Sequence, residues 1–377
     1  MSEAGAGAPR PRVAVVGCGQ IADAHVHEAR RAGADVVAVC DRSAVMAEQA
    51  AARLEVPEWF EDLDAMLSRA RPDVVHVTTP PASHLPVARA ALAGGAHVYV
   101  EKPLTVDLAE AGALEDAARR AGRLACAGHN LAFDPVVLRL LRLVAEGAIG
   151  DVVHVDAIQG HDLAGPFGRI AMSDPDHWVH RLPGGIAHNN LSHPLSIVLP
   201  LLGDELPSVR ATGLRLRRER FGDARDHFHD EIRVLLAGER ATASVHFSCH
   251  ARPVQLALAV YGTRANVAVS LDARTMRAVR GSSMPGPFQK VDWARNDAVE
   301  AGRELWRRAG DLARARLHYF EGMRELFARF YAAAAGAKAP PVPFEEALRT
   351  AAVLDEVFHQ CRAERAPAGT AAQGGAP

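Results

Sequence analysis

Lysine is almost missing from this chain. Three occur in 377 residues, at Lys102, Lys290 and Lys338, and arginine carries nearly every other positive charge. An alanine- and arginine-rich composition of this kind reflects codon bias, so a lysine that persists is a candidate for chemistry. Arginine cannot give up a proton, whereas a buried lysine can be tuned to do so. Lys102 follows the apolar run His97-Val98-Tyr99-Val100, although strand ends are often charged for no chemical reason. Cysteine is also sparse. Cys18, Cys40, Cys126, Cys249 and Cys361 are scattered and odd in number, which excludes a disulfide framework and suits reduced thiols in a cytoplasmic protein. Long apolar runs are lacking. The longest, Leu195–Leu202, is interrupted by Ser196 and Pro200 and is too short to span a bilayer. Residues Met1–Pro11 lack the apolar core of a signal peptide and read as a disordered tail. A net charge of -2 provides no field for nucleic acid or for an anionic membrane.

What is present is an ordinary globular composition, 49% hydrophobic and 23% charged, on a chain long enough for two domains. Arg12–Val16 reads as a buried parallel strand and runs directly into Gly17-Cys18-Gly19-Gln20-Ile21-Ala22. A helical pattern follows to Gly33, and a second strand, Val36–Cys40, ends at Asp41. Each part has a task in binding a dinucleotide. Gly17 permits the tight turn, Gly19 lets backbone approach a pyrophosphate, and small Ala22 lets helix pack on strand. Asp41 is placed to accept hydrogen bonds from the adenosine ribose, which favours NAD. Arg42 beside it is the residue that would instead accept the 2′-phosphate of NADP.

Strands and helices keep alternating: helix Ser43–Leu54, strand Asp73–Val77, loop Thr78-Thr79-Pro80-Pro81, helix His84–Ala93, strand His97–Val100 and strand Leu124–Ala127. This predicts a Rossmann domain over 12–128, an α/β unit with a doubly wound parallel sheet. Gly17, Asp41, Thr79-Pro80, Glu101-Lys102 and His129-Asn130 all fall at the carboxyl ends of its strands, where ligands bind in such sheets. From 129 to 365 strand-like runs follow one another with few helices between them. They predict an α+β domain with a largely antiparallel open sheet, for substrate binding and oligomerisation. Gly281–Gln289 reads as a loop, Asn296–Ala335 as one helix of mixed charge, Phe344–Ala363 as a last helix, and 366–377 as a flexible tail.

In the second domain, Gly184-Gly185-Ile186-Ala187-His188-Asn189-Asn190-Leu191-Ser192-His193-Pro194 leads into an apolar helix. Ser192 suits its N-cap and Pro194 its first turn. That places His193 at a helix N-terminus, where the dipole disfavours the protonated ring. A histidine so placed exchanges protons near neutral pH, or else serves as a cap or packing residue. His188 reads more readily as a packing residue. Metal is not expected: His177 and His180 lack a third ligand at helical spacing, and Asp226-His227-Phe228-His229-Asp230 reads as a polar loop. The arginine-rich stretches Arg215–Arg220 and Arg303–Arg316 read as solvated faces.

Four motifs together resemble the Gfo/Idh/MocA family, named for glucose–fructose oxidoreductase, inositol dehydrogenase and rhizopine catabolism. They are the glycine loop, Thr79-Pro80-Pro81-Ala82-Ser83-His84, the specific Glu101-Lys102-Pro103, and Gly184-Gly185 followed by His193. The resemblance runs from about Arg12 to Ala363. It implies an NAD(P)-dependent dehydrogenase or reductase of two domains, acting on a sugar, nucleotide sugar or cyclitol and assembled as a homodimer or homotetramer. By position Lys102 would touch the reacting hydroxyl and the nicotinamide ribose, His193 would act as acid/base, and Asn189 would orient substrate. Trp178, His180, Arg181 and His188 would shape the substrate pocket, and His84, Glu101 and Asn130 would belong to the cofactor site. The chain departs from the family at three places. Asn189 stands where many members have aspartate, Leu191 where glycine is usual, and Ser196 where aspartate is usual. Asn189 hydrogen-bonds but cannot act as a carboxylate base, so proton transfer would fall to Lys102 and His193. Two rival functions share this fold: a lyase or glycosidase that keeps its NAD and oxidises the sugar transiently, and a regulatory protein that binds cofactor without turnover.

Overall fold

The computed structural model describes residues 10–216, 228–314 and 317–363. The stretches 1–9 and 366–377, expected to be tails, lie outside the described residues. Among those described, one compact unit comprises 10–135 with 317–351, and a second comprises 136–314 with 352–363. Residues 317–351, which the sequence reading assigned to the second domain, therefore cluster with the first unit. No helix among the described residues is long and apolar enough to cross a membrane.

The first unit alternates β1 (Arg12–Val16), α1 (Ala22–Arg31), β2 (Asp35–Cys40), α2 (Ala44–Leu54), β3 (Glu58–Phe60), α3 (Leu63–Ala70), β4 (Val74–Val77), α4 (His84–Ala93), β5 (His97–Val100), α5 (Leu108–Ala121) and β6 (Ala125–Ala127). All six strands are parallel in the order β3-β2-β1-β4-β5-β6. Valine at alternate positions fills both faces, and Val13, Val15, Val75, Val77, Val98 and Val100 are fully buried. Helices on both sides of such a sheet leave its strands no wet face. The Ser43 hydroxyl caps α2 by accepting from the Met46 amide, and Asp107 caps α5 by accepting from the Glu110 amide at 2.8 Å. The strand order reverses between β1 and β4, which opens a crevice at their carboxyl ends.

The second unit contains most of α6 (Pro135–Ala145), then β7 (Val152–Gly160), α7 (Pro166–Ser173), α8 (Gly185–Val198), β8 (Ser208–Leu214), β9 (Glu231–Ala237), β10 (Thr242–Ser248), β11 (Leu256–Gly262), β12 (Ala265–Ser270), β13 (Thr275–Arg280) and α9 (Pro287–Ala313). Its sheet runs β13-β12-β11-β7-β10-β9-β8, with β7 and β10 parallel and every other pair antiparallel. Helix α8 lies against β7 and β10. Two further helices close the chain, α10 (Glu321–Ala334) and α11 (Phe344–Ala363). Within the first unit α10 packs on α1, tied by Arg31 to Glu321 at 3.2 Å.

Three sequence expectations change here. The single helix expected over Asn296–Ala335 is two, α9 and α10. No glycine or proline falls between Asp311 and Glu321, so nothing in the pattern marks the break. The loop expected over Gly281–Gln289 ends early, because Pro287 begins α9. The third change concerns His193. Helix α8 starts at Gly185, eight residues before it, so Ser192 is no cap and Pro194 is an interior residue. Proline has no N–H to return to the carbonyl of Asn190 and ordinarily disrupts a helix interior. Here 13 residues of α8 are buried, and packing holds the helix through the proline.

Two glycines start α8 for different reasons. Gly185 has φ +55°, a left-handed backbone that a side chain disfavours. At Gly184 a Cβ would lie 2.0 Å from the Phe358 ring. Gly184→Ala should destabilise the protein by about 1–3 kcal/mol through overpacking, read as a lower urea midpoint with unchanged m-value.

Candidate functional site

The glycine loop is closed from beneath. Gly17 has φ +104°, and a Cβ there would lie 2.8 Å from backbone atoms of Thr78 and Thr79. The Thr78 hydroxyl donates to the carbonyl oxygen of Gly17 at 2.7 Å, fixing this close approach. Gly19, by contrast, has nothing within 4 Å of its Cβ direction, so its backbone faces open space. Helix α1 has no side-chain cap, which leaves its first turn to an anion. Asp41 accepts from the amides of Cys18 at 2.8 Å and Ser43 at 2.9 Å, bracing the loop from the end of β2. Burial, helped by Asp41, pushes the Cys18 thiol up to about 12, so the loop adds no thiolate charge against a pyrophosphate. Ala22 is fully buried, as the small third position requires. Gln20 and Arg42 are exposed, and Ile21 is half-buried.

The other strand ends carry the remaining cofactor candidates. Among the described residues the buried Thr79 Oγ1 and Asn130 Oδ1 have no hydrogen-bond partner. Buried polar atoms are ordinarily paired, so these two are ready for a ligand. Pro80 is exposed on the same loop as Thr79. His84 follows on α4. Its ring is 1% exposed, with Nε2 at 2.8 Å from the Thr79 carbonyl and Nδ1 at 3.0 Å from that of Pro103. Its ring lies between the loop after β4 and the loop after β5, and as a neutral ring it donates to a carbonyl from one nitrogen only. Open backbone at Gly19, an uncapped α1 and two orphaned oxygens together fit a dinucleotide.

Lys102 follows β5 and is half-buried. Burial lowers its pKa from the ordinary 10.5, and the neighbouring Glu101 carboxylate opposes the change. Glu101 is 8% exposed. Burial alone would raise its pKa, yet it lies below the ordinary value because His25 and Lys102 favour the charged form. The sequence reading passed over His25, His76 and Tyr331. They form one buried column with Glu101: His25 Nε2 to Glu101 at 3.0 Å, His25 Nδ1 to His76 Nδ1 at 3.0 Å, and the Tyr331 hydroxyl to His76 Nε2 at 3.1 Å. A signal was present. His25 interrupts the apolar stripe of Ala22, Val26 and Ala29 on α1, and His76 interrupts the valines of β4.

In the second unit Asn189 and His193 lie one turn apart on α8, Asn189 buried and His193 half-buried. The Ser196 hydroxyl donates to the carbonyl of His193 at 2.8 Å. His188 stacks on Phe358 with ring centroids 5.0 Å apart. Among the described residues His188 Nδ1 and the hydroxyl of Ser192 are buried without a hydrogen-bond partner. Ser192 was expected as a cap, and this unpaired hydroxyl was not anticipated. Trp178 is half-buried and packs against Phe167 and His177, while Arg181 is exposed. His180 Nε2 lies 2.6 Å from the carbonyl of Ala171 and ties its 3-10 turn to α7. Of the dense acidic and histidine run, Asp226 and His227 lie outside the described residues, as do Arg217–Arg220 of the arginine stretch.

Residues 11–129 match the family described as "Oxidoreductase family, NAD-binding Rossmann fold" and 137–268 match "GFO/IDH/MocA C-terminal domain". The two matches cover more than half of the chain. The chain belongs to the Gfo/Idh/MocA family. Residues 11–129, within its first unit, are the NAD-binding Rossmann domain of that family. Among curated relatives, scyllo-inositol 2-dehydrogenase (NAD(+)) of Bacillus subtilis is 30% identical over 56% of this chain and 60% of its own length. A glycosyl hydrolase family 109 protein of Streptomyces filamentosus is 29% identical over 54% of this chain and 44% of its own length. The chain spans between 39 and 60% of the length of the first four such relatives. The fold is shared with the WlbA dehydrogenase of Bordetella pertussis, crystallised with NADH and UDP-GlcNAcA. That match has a TM-score of 0.74 at 19% identity and covers 94% of this chain and 96% of that one.

Burial gives the protein an acid-sensitive stability. It lowers His129 to about 4 against the opposing charge of Glu101, and lowers His188 to about 4 with help from Arg362. A folded pKa below the unfolded value of about 6.5 means that the unfolded chain takes up protons first as pH falls. The stability is therefore fully present above pH 6.5 and is lost as pH drops toward 4. Urea midpoints should be level from pH 8 to 7, then fall from 6.5 to 4, with a smaller fall in His188→Gln.

Proposed function

We propose that the protein transfers hydride reversibly between NAD(P) and a secondary alcohol or ketone carbon of a sugar, nucleotide sugar or cyclitol. The observation that carries this reading is the Lys102 amine. It stands at the carboxyl edge of an NAD-binding sheet, with its proton affinity lowered by burial. Gly17, Gly19 and the first turn of α1 hold the pyrophosphate, Asp41 reads the ribose, and Thr79 and Asn130 use their unpaired oxygens on the nicotinamide half. When bound, the nicotinamide supplies the hydride acceptor or donor. As the alcohol's C–H electron pair leaves, Lys102 takes the hydroxyl proton, and in the reverse direction it returns that proton to the carbonyl oxygen. His193 is the second proton-handling group. Asn189, His188 and Ser192 direct hydroxyl groups of the substrate, and Trp178 offers a sugar an apolar face.

A positioned acid/base typically contributes about 10²–10⁴-fold. Lys102→Met should lose turnover of that order in a screen of polyols and nucleotide sugars, while still quenching tryptophan emission on NADH addition. Wild-type turnover in the variant would remove Lys102 from the mechanism. In the same titration NADH should bind more tightly than NADPH, because Asp41 repels a 2′-phosphate. The reverse preference would assign that phosphate to Arg42.

The similarity to a glycosyl hydrolase family 109 protein supports a second reading, in which the sugar is oxidised, loses a group and is reduced again. Product formation with no net change in NADH absorbance would favour it.

We place the enzyme in the cytoplasm, a reading supported by five free, buried cysteines, and assign it a homo-oligomeric state. Helix α9 exposes Leu305, Leu312 and Trp306, the last 79% exposed. A cavity of about 810 Å³ between α9 and the sheet is floored by Leu258, Val269 and Met276. Apolar surface of this kind on one element is ordinarily covered by a partner. Sedimentation should give a dimer or tetramer, and Trp306→Glu should weaken it.

A further inference from the structure

We propose that His25, held in place by His76 and Tyr331, is a positioning residue that keeps the buried Glu101 ionised and through it sets the proton affinity of Lys102. The proposal rests on the reading of Lys102 as the proton-handling group, and its test is independent of turnover.

The argument begins with donors and acceptors. An ionised carboxylate only accepts hydrogen bonds, so His25 Nε2, 3.0 Å from Glu101 Oε1, carries the proton. With one proton per imidazole, His25 Nδ1 is then a bare acceptor. His76 Nδ1, 3.0 Å away, must donate to it. His76 Nε2 is left bare and accepts the Tyr331 hydroxyl proton at 3.1 Å. Every donor in the column points toward Glu101. A second proton on His25 would reverse the outer two bonds, since His25 would donate from both nitrogens. Burial holds His76 well below the ordinary histidine value, so His76 itself carries a single proton. The column has no room to shift: His25 and His76 are fully buried and Tyr331 is 6% exposed. Phe327 packs on both imidazoles, 5.3 Å from His25 and 4.4 Å from His76.

The second oxygen of Glu101 accepts from the Lys102 amide at 3.1 Å, so the carboxylate is gripped from both sides. The other titratable groups around it are Tyr99 on β5, His84 on α4 and His129 after β6. Burial keeps Tyr99 protonated and both histidines neutral, so none of them stabilises a charged Glu101 as His25 and Lys102 do. Without the His25 donor a desolvated Glu101 would take up a proton, and Lys102 would lose the negative charge that offsets its own burial.

The scarcity of lysine makes this measurable. The full-length protein labelled with [13Cε]lysine should give three resonances, with Lys102 assigned by its loss in Lys102→Met. In the wild type Lys102 should titrate below the ordinary value of about 10.5. In His25→Leu its proton affinity should fall about tenfold or more, one pKa unit or greater, and Glu101→Gln sets the largest fall attainable. In His25→Gln, whose amide replaces the Nε2–H, Lys102 should return to within about twofold of wild type. Equal titration of Lys102 in wild type and His25→Leu would overturn the proposal. So would a fall in His25→Gln as large as in His25→Leu. Should His25→Leu fail to fold, wild-type 15N-histidine spectra at pH 8 decide instead. They should show His25 protonated on Nε2 alone and His76 on Nδ1 alone, and any other assignment rejects the column. Absence of turnover on every carbohydrate would count against the proposed function and leave these titrations standing.

Discussion

The buried carboxylate of Glu101 is held by a chain of side chains drawn from distant parts of the first unit. Taking an ionised carboxylate out of water costs several kcal/mol unless charge and hydrogen bonds replace the solvent. The replacement comes from His25 on α1 and the amide of Lys102, with His76 on β4 and Tyr331 on α10 bonded in turn behind His25. Through Tyr331 the column joins α10 to the sheet made by the first 127 residues. It also gives α1 two tasks. Its uncapped N-terminus faces the glycine loop, while its buried stripe of Ala22, His25, Val26 and Ala29 faces the sheet and the carboxylate. The contact of Gly17 with the Thr78 backbone holds the helix in register for both.

The second unit solves a related problem with a helix. Helix α8 is buried on nearly every side yet carries His188, Asn189, Asn190, Ser192 and Ser196. A buried helix is ordinarily apolar all round. Some of the polar groups are satisfied locally, as where the Asn190 amide donates to the Ile186 carbonyl at 2.8 Å and Ser196 donates to that of His193. Ser192 is not, and an unpaired buried hydroxyl costs roughly 1–3 kcal/mol. A helix that keeps such groups, and an interior proline, is under a constraint other than stability.

Much of this was legible in the chain because the responsible physics is local. A glycine forced by a tight turn, valines alternating through a buried strand, and serine or aspartate at a helix start all act within a few residues. The parallel order of the first sheet and the motifs at its strand ends follow from them. What escaped depends on contacts distant in sequence. Pro194 beside Ser192 carries every local mark of a helix start, and tertiary burial alone makes it an interior residue. His84 was read as a cofactor contact from its motif beside the crevice, and its burial against the carbonyls of Thr79 and Pro103 depends on chain segments distant from it. His25 and His76 read as isolated polar residues in apolar elements, and their meaning appears once the end of β5 brings Glu101 against His25.

Burial also sorts the titratable groups around the candidate chemistry by type. It pushes cations toward neutrality, so His76, His84, His129 and His188 lie below the ordinary histidine value, and Lys102 moves down from 10.5. It pushes acids the other way, so Tyr99 and Tyr331 stay protonated. Glu101 alone among these runs against the trend, because hydrogen bonds and a neighbouring amine outweigh desolvation. At neutral pH most of the set is therefore already fixed in its uncharged form. Lys102 differs because two opposed effects act on one amine: burial drives its proton off, and Glu101 draws it back. An arginine at 102 would stay charged against the same burial. A composition that replaces nearly every lysine with arginine has kept an amine at 102, where burial lowers its pKa from the ordinary 10.5 and Glu101 opposes the change.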